Sequence, residues 1–173
     1  MKSLYVLRHG KSDWNTSAGS DFDRPLAARG VASAGLVGRF LASIQEIPTV
    51  VVASTAVRAA ETARIAIEEG GWSSELIDEP DLYGASADRM LRAARSAPDS
   101  AERVLLVAHE PGCSELVDRM VGGCALRYPT AALARIDCPV ETTSDLAFGI
   151  GALEWLVIPR TLAAFEASAR GPA

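Results

Sequence analysis

Residues Arg103-Val104-Leu105-Leu106-Val107-Ala108-His109 decide how this chain is read. The apolar run is too short for a helix and lacks the alternation of a half-exposed strand, so it reads as a strand buried on both faces. A parallel sheet covered by helices requires strands of that kind. The run stops at a histidine. Near the N-terminus the same arrangement recurs, because residues 3–7 form an apolar run that ends at Arg8-His9-Gly10. A third run, Thr49-Val50-Val51-Val52-Ala53, is almost wholly β-branched and ends at Ser54-Thr55.

Helical patterns fill the intervals. Leu26 to Gln45 places Leu26, Val31, Leu36, Phe40, Leu41 and Ile44 at helix-like spacing. Arg58 to Glu69 carries Ala59, Thr62, Ala63, Ile65 and Ala66, with Gly70-Gly71 as a stop signal. Pro111 to Val121 has proline in its first turn and Gly122-Gly123 beyond its end. Less marked patterns predict a short strand over Glu75–Asp78 and a helix over Ala87–Ala97, halted before Pro98. Two further strands are predicted over Ala131–Cys138 and Leu146–Ile158, with Gly149 and Gly151 marking a bulge or bend in the second. Strands alternating with helices predict one α/β domain over residues 1–173, a mostly parallel sheet with helices on both faces.

Composition agrees with a single domain. The 173 residues are 49% hydrophobic and 23% charged, enough to bury about two-thirds of the unfolded surface. Seventeen Lys and Arg against 22 Asp and Glu give a net charge of −5, which disfavours nucleic acid or an anionic membrane as partner. Cys113, Cys124 and Cys138 fit neither a zinc knuckle nor a disulfide framework, and read as buried thiols in a reducing compartment. No stretch has the length of a signal peptide or membrane span, so a cytoplasmic protein is expected. No heptad or edge pattern specifies an oligomeric state.

Open parallel sheets place their sites beyond the carboxyl ends of the strands. The only two histidines, His9 and His109, each follow an apolar strand, with Arg8 before the first and Arg58 opening the helix after another. Single histidines at strand ends are more often structural than catalytic, but two imidazoles and two guanidiniums at one sheet edge make a phosphate-handling site. Arginine pairs bidentately with phosphoryl oxygens, and a neutral imidazole attacks phosphorus. Arg58 near a helix N-terminus is also mildly unfavourable for the helix dipole, as expected of a residue kept for a ligand.

These residues carry a resemblance. Leu7-Arg8-His9-Gly10-Lys11-Ser12 with Trp14 resembles the signature of the histidine phosphatase (phosphoglycerate mutase-like) superfamily. Asp23-Arg24-Pro25-Leu26 with Arg29-Gly30, Ser54-Thr55-Ala56-Val57-Arg58-Ala59 with Thr62, and Val107-Ala108-His109-Glu110-Pro111 resemble its later motifs, in order. The short chain is most similar to the compact SixA-like branch of phosphohistidine phosphatases. The resemblance implies a three-layer α/β/α fold and hydrolysis through a phosphohistidine at His9, with Arg8, Arg58 and His109 holding the phosphoryl oxygens and no metal or other cofactor required. The implied partner is a phosphorylated protein or a small phosphorylated metabolite.

Several assignments are open at this level. Glu110 is the preferred proton donor for the leaving group, with Asp81 or no donor as alternatives. Ser12 and Asn15 are candidate phosphate ligands on the loop after His9. Lys11 reads as part of a polar turn, Arg24 and Arg29 as ion-pair partners, and Trp14 as a latch or pocket wall. Competing functions are a phosphoglycerate mutase or small-metabolite phosphomonoesterase, and a non-catalytic phospho-ligand binder. Cys113 and Arg119 have the C-x5-R spacing of cysteine-dependent phosphatases, but the intervening segment has a helical apolar face and no glycine.

Overall fold

The computed structural model describes residues 1–169. In chain order the elements are β1 (Lys2–Arg8), α1 (Ala28–Ser43), β2 (Val50–Ser54), α2 (Val57–Gly70), β3 (Glu75–Glu79), a 3-10 turn (Pro80–Leu82), α3 (Ala87–Arg95), β4 (Arg103–Ala108), α4 (Gly112–Met120), β5 (Leu133–Cys138), β6 (Ala152–Val157) and α5 (Pro159–Ala169). They build one six-stranded sheet in the order β3-β2-β4-β1-β5-β6. Strands β3, β2, β4 and β1 are parallel, and β5 runs antiparallel to both β1 and β6.

Alternation along the strands divides the core in two. Leu4 and Val6, Val50 and Val52, and Val104 and Leu106 face α3 and α4, where Met90, Leu91, Leu116 and Met120 are buried. Tyr5 and Leu7, Val51 and Ala53, and Leu105 and Val107 face α1 and α2, meeting Val37, Leu41, Ala59, Ala63 and Ala66, together with Leu162 of α5. Each fully buried leucine contributes roughly 2 kcal/mol of transfer free energy. Both faces being covered explains why the central strands show no polar alternation.

Helices α1 and α2 pack closely because glycine lies at their crossing. A Cβ on Gly38 would come within 2.2 Å of the Ala66 carbonyl oxygen. At the start of α1, a Cβ on Gly30 would come within 2.2 Å of the Lys11 carbonyl oxygen, so this glycine lets the loop after β1 rest on the helix. Helix α2 ends where Gly71 turns left-handed at φ 63°, a conformation glycine adopts without Cβ strain.

Two expectations need correction in the C-terminal third. The predicted strand over 146–158 is a strand only from Ala152 to Val157. Residues 149 and 151 instead bond to the end of α4, Gly149 N–H donating to the Arg119 carbonyl and Gly151 N–H to that of Met120. Their amides are thus taken up before the chain enters the sheet. The irregularity lies elsewhere, since Arg135 pairs with Trp155 and Ile136 with Leu153, leaving Glu154 as the extra residue. Helix α5 was not expected from the sequence pattern. Among the described residues, no helix is long and apolar enough to cross a membrane.

Candidate active site

Strand register explains how residues 100 positions apart become neighbours. Arg8 pairs with Ala108 and Ala53 with Val107, so β1, β4 and β2 all end at one level. The chain continues as His9, His109 and Ser54–Thr55 at that edge. The His9 and His109 ring centroids lie 5.0 Å apart, and both side chains are buried.

His9 has a defined tautomer. Its Nδ1 lies 2.7 Å from the Gly10 carbonyl oxygen, which only accepts, so Nδ1 carries the proton and Nε2 keeps its lone pair. Arg58 Nε–H donates toward that lone pair at 3.3 Å. The Gly10 peptide is itself fixed, its N–H donating to Thr62 Oγ1 at 2.9 Å while the Thr62 hydroxyl donates to the Arg58 carbonyl at 2.6 Å. One threonine ties the loop after β1 to the helix that carries Arg58.

Both rings are neutral at pH 7. Burial lowers the His9 pKa to about 4, opposed by the Gly10 hydrogen bond and assisted by Arg58, Arg8 and Arg24. Burial also lowers His109 to about 3, with His9 and Arg58 assisting and Asp21 opposing. Desolvation is thus the leading cause, ahead of the neighbouring guanidiniums. His109 Nε2 meets Ser54 Oγ at 2.9 Å, while its buried Nδ1 has no protein partner.

Two arginines are held in place from behind. Arg8 donates through Nη1 to the Tyr128 carbonyl at 2.8 Å, and its buried Nε has no protein partner. Tyr128 is anchored in turn by its hydroxyl, which donates to the Val6 carbonyl at 2.6 Å. Arg58 donates to Asp21 twice, through Nη1 to the backbone carbonyl at 2.6 Å and through Nη2 to Oδ2 at 3.0 Å. Asp21 also accepts from Arg24 at 2.6 Å and from the Tyr83 hydroxyl at 3.0 Å. Partial burial pushes the Asp21 carboxyl up, but the bonds from Arg24 and Tyr83 and the Arg58 charge outweigh it and leave the pKa lowered.

The remaining expected residues divide. Ser12 is buried, and its Oγ accepts from Arg24 Nη1 at 2.8 Å. Asn15 is exposed on the loop, with its backbone N–H donating to Asp13. Lys11 is exposed, and Trp14 is 68% exposed beneath the Arg24 guanidinium, 3.5 Å from the ring centroid. Arg24 forms the expected ion pair with Asp21, whereas Arg29 forms none among the described residues. Glu110 accepts the Ser114 backbone N–H at 2.9 Å and so caps the start of α4. Asp81 is exposed in the 3-10 turn, its amide bonded to Glu79.

The cysteine-phosphatase spacing does not form a phosphate loop. Cys113 is buried within helix α4, and burial pushes its thiol well above the ordinary range. Arg119 is paired with Asp88 at 2.6 Å and stacked on Phe148.

Sequence reading singled out no role for Ser54, Thr62, Asp21, Tyr83 or Tyr128. Two had a signal: Ser54 sits at a strand end level with the histidines, and Thr62 lies one helical turn after Arg58 on the same helix face. Asp21, Tyr83 and Tyr128 come from irregular segments whose placement no local periodicity encodes.

The model of the histidine phosphatase superfamily (branch 1) matches residues 4–90. The chain belongs to the histidine phosphatase superfamily. A solved structure from Nakamurella multipartitia bearing the name phosphohistidine phosphatase SixA superposes with a TM-score of 0.80 at 27% identity, covering 91% of this chain and 96% of that one. The protein histidine phosphatase SixA complexed with tungstate shares the fold, with a TM-score of 0.74 at 22% identity over 92% of this chain and 99% of the other. This member of the superfamily therefore has the compact SixA-like architecture. An uncharacterized protein of Mycobacterium tuberculosis is 35% identical over 111 residues, which cover 64% of this chain and 66% of the relative. A 2,3-bisphosphoglycerate-dependent phosphoglycerate mutase of Clavibacter michiganensis subsp. michiganensis is 38% identical over 74 residues, 42% of this chain and 30% of the mutase.

Proposed function

We propose that the protein is a phosphohistidine phosphatase that removes phosphate from a phosphorylated protein through a covalent intermediate on His9. The observation that carries this reading is the His9 lone pair at Nε2, facing Arg58 Nε–H, beside a second neutral imidazole.

The steps follow from the donors present. Nε2 of His9 attacks phosphorus, the bond to the substrate nitrogen breaks, and the electron pair leaves on the substrate imidazole. Arg8, Arg58 and His109 stabilise the charge spread over the equatorial oxygens. Water then attacks phosphorus, breaks the bond to Nε2, and releases inorganic phosphate with His9 restored. An imidazole leaving group already protonated in the substrate needs no carboxylic acid from the enzyme, whereas an alkoxide does. The helix-capping bond of Glu110 and the low pKa of Asp21 favour the former substrate. The exposed Trp14, stacked against Arg24, leaves the rim accessible to a macromolecular substrate.

A second reading, a phosphoglycerate mutase or metabolite phosphomonoesterase, draws on the mutase-like match over 74 residues. A phosphatase panel separates the two: a phosphohistidine protein, sugar phosphates, nucleotides and phosphoglycerates, the last with bisphosphate cofactor, assayed with wild type and His9→Ala. The expected result is turnover of phosphohistidine, reduced roughly 10⁴-fold or more by His9→Ala. Mutase turnover overturns the substrate assignment. Phosphate binding without turnover of any class overturns the enzymatic reading in favour of a binding protein.

A further inference from the structure

The partners of Ser54 show how the second histidine is prepared. Ser54 is fully buried at the end of β2, and two groups approach its Oγ. The Ala56 backbone N–H donates to it at 3.3 Å, and His109 Nε2 lies 2.9 Å away. The first contact uses Oγ as an acceptor. The second has two possible directions, and proton accounting selects one.

Suppose Nε2 carried the proton and donated to Ser54. The serine hydroxyl hydrogen would then have no acceptor among the described residues, and a buried donor without a partner is costly. Nδ1 of His109, buried and without a protein partner, would present a lone pair that repels phosphoryl oxygens. In the opposite arrangement the hydroxyl donates to Nε2, the serine hydrogen is used, and one group rather than two is left without a protein partner, the Nδ1–H.

We infer that Ser54 is a positioning residue that fixes the tautomer of His109, donating its O–H to Nε2 so that Nδ1–H is held ready for a phosphoryl oxygen. The identity of that acceptor rests on the phosphatase reading; the tautomer does not. Both imidazoles then carry their proton on Nδ1, yet serve opposite purposes. His9 engages Nδ1–H with the Gly10 carbonyl and offers a lone pair at Nε2. His109 engages Nε2 with Ser54 and offers a donor at Nδ1. Hydrogen bonds to the far side of each ring thus make one residue type a nucleophile and the other a charge-stabilising donor. The low pKa values of both rings keep them neutral at pH 7, so each ring has a tautomer to assign.

The whole chain contains only two histidines, so ring-¹⁵N-labelled protein shows four ring nitrogens, assigned with His9→Asn. Long-range proton–nitrogen correlation at pH 7 is expected to show His109 protonated at Nδ1, with that proton moving downfield as inorganic phosphate is added. A His109 ring protonated at Nε2 in the wild type overturns the inference. Ser54→Ala is expected to shift His109 toward the Nε2–H form and to lower kcat roughly tenfold to a hundredfold, KM changing less, with Ser54→Thr restoring the Nδ1–H form. Wild-type kcat and an unchanged tautomer in Ser54→Ala also overturn it. If Ser54→Ala does not fold, the wild-type spectrum decides alone. An Nδ1–H ring that responds to phosphate in a protein with no turnover leaves the tautomer standing and removes the phosphatase reading instead.

Discussion

Strands β4 and β6 have the same length but different surroundings. From Val104 to Ala108 every residue of β4 is buried, whereas no residue of β6 from Ala152 to Val157 is fully buried. β4 lies inside the sheet with β2 and β1 as neighbours, while β6 closes an edge and is paired only with β5. The interior strand delivers His109 into a buried position at the sheet edge, and the edge strand leads into α5. An imidazole that must stay neutral is served by the first environment. Desolvation at the ends of the interior strands lowers both imidazole pKa values, so the core that stabilises the sheet also sets the protonation of the site.

Titration gives the largest expected effect. The folded-state values of about 4 for His9 and 3 for His109 lie below the unfolded value of about 6.5. Between pH 6.5 and about 3 the unfolded chain therefore binds protons that the folded chain does not. Stability is fully present above pH 6.5 and falls as pH drops through that window, by several kcal/mol at most for the two coupled rings. Denaturant unfolding across pH checks this, and the double variant His9→Asn/His109→Asn is expected to flatten the dependence. In kinetics, the acid limb of kcat/KM is expected near pH 4. A limb at 6.5 breaks the claim that interior burial keeps His9 neutral.

Paired truncations sharpen the contrast directly. Leu106 is fully buried in β4, so Leu106→Ala is expected to cost about 2–5 kcal/mol through lost transfer energy and a cavity. Leu153 in β6 is half-buried, and Leu153→Ala is expected to cost about 1 kcal/mol, because solvent and neighbours fill part of the space. Equal losses in urea unfolding would remove the distinction between the strands.

The same contrast explains what was legible in the sequence. Interior strands buried on both faces appear as unbroken apolar runs, so β1, β2 and β4 were placed within a residue or two, and the histidines at their ends marked the edge where they meet. Helices α1, α2 and α4 are visible as single apolar stripes that face the sheet, and α3 shows a less marked pattern. The start of β6 was not, because Leu146, Phe148 and Ile150 look like strand residues but pack against the α3–α4 side of the core as a loop. Helix α5 packs little of itself inward, Leu162 being its one contribution to the fully buried core among the described residues. At the site, His9, Arg8, Arg58 and His109 were found because strand ends and helix starts are encoded locally. Asp21, Tyr83 and Tyr128 act through contacts 37 to 122 residues distant, between loops whose meeting is decided only by the finished fold.

Cys113 offers a further break point within the interior. Cys113→Ser places a hydroxyl in a fully buried position of α4 and is expected to cost roughly 1–3 kcal/mol while leaving turnover within about twofold. Loss of turnover in a folded Cys113→Ser protein would return the thiol to consideration as a nucleophile.

The smallest expected change lies at Glu110, where position and contacts point in different directions. The residue adjoins His109, as a proton donor would, but its carboxylate accepts the Ser114 amide and so serves the first turn of α4. Glu110→Ala removes that cap and is expected to lower stability by about 1 kcal/mol. Glu110→Gln keeps an acceptor for Ser114 and is expected to keep most of it. Neither variant should change phosphohistidine turnover by more than about threefold, because the leaving imidazole takes no proton from the protein. Measuring an alkyl phosphomonoester in parallel completes the test. A selective loss on the alkyl substrate would make Glu110 its acid, while equal small effects on both leave the residue to the helix.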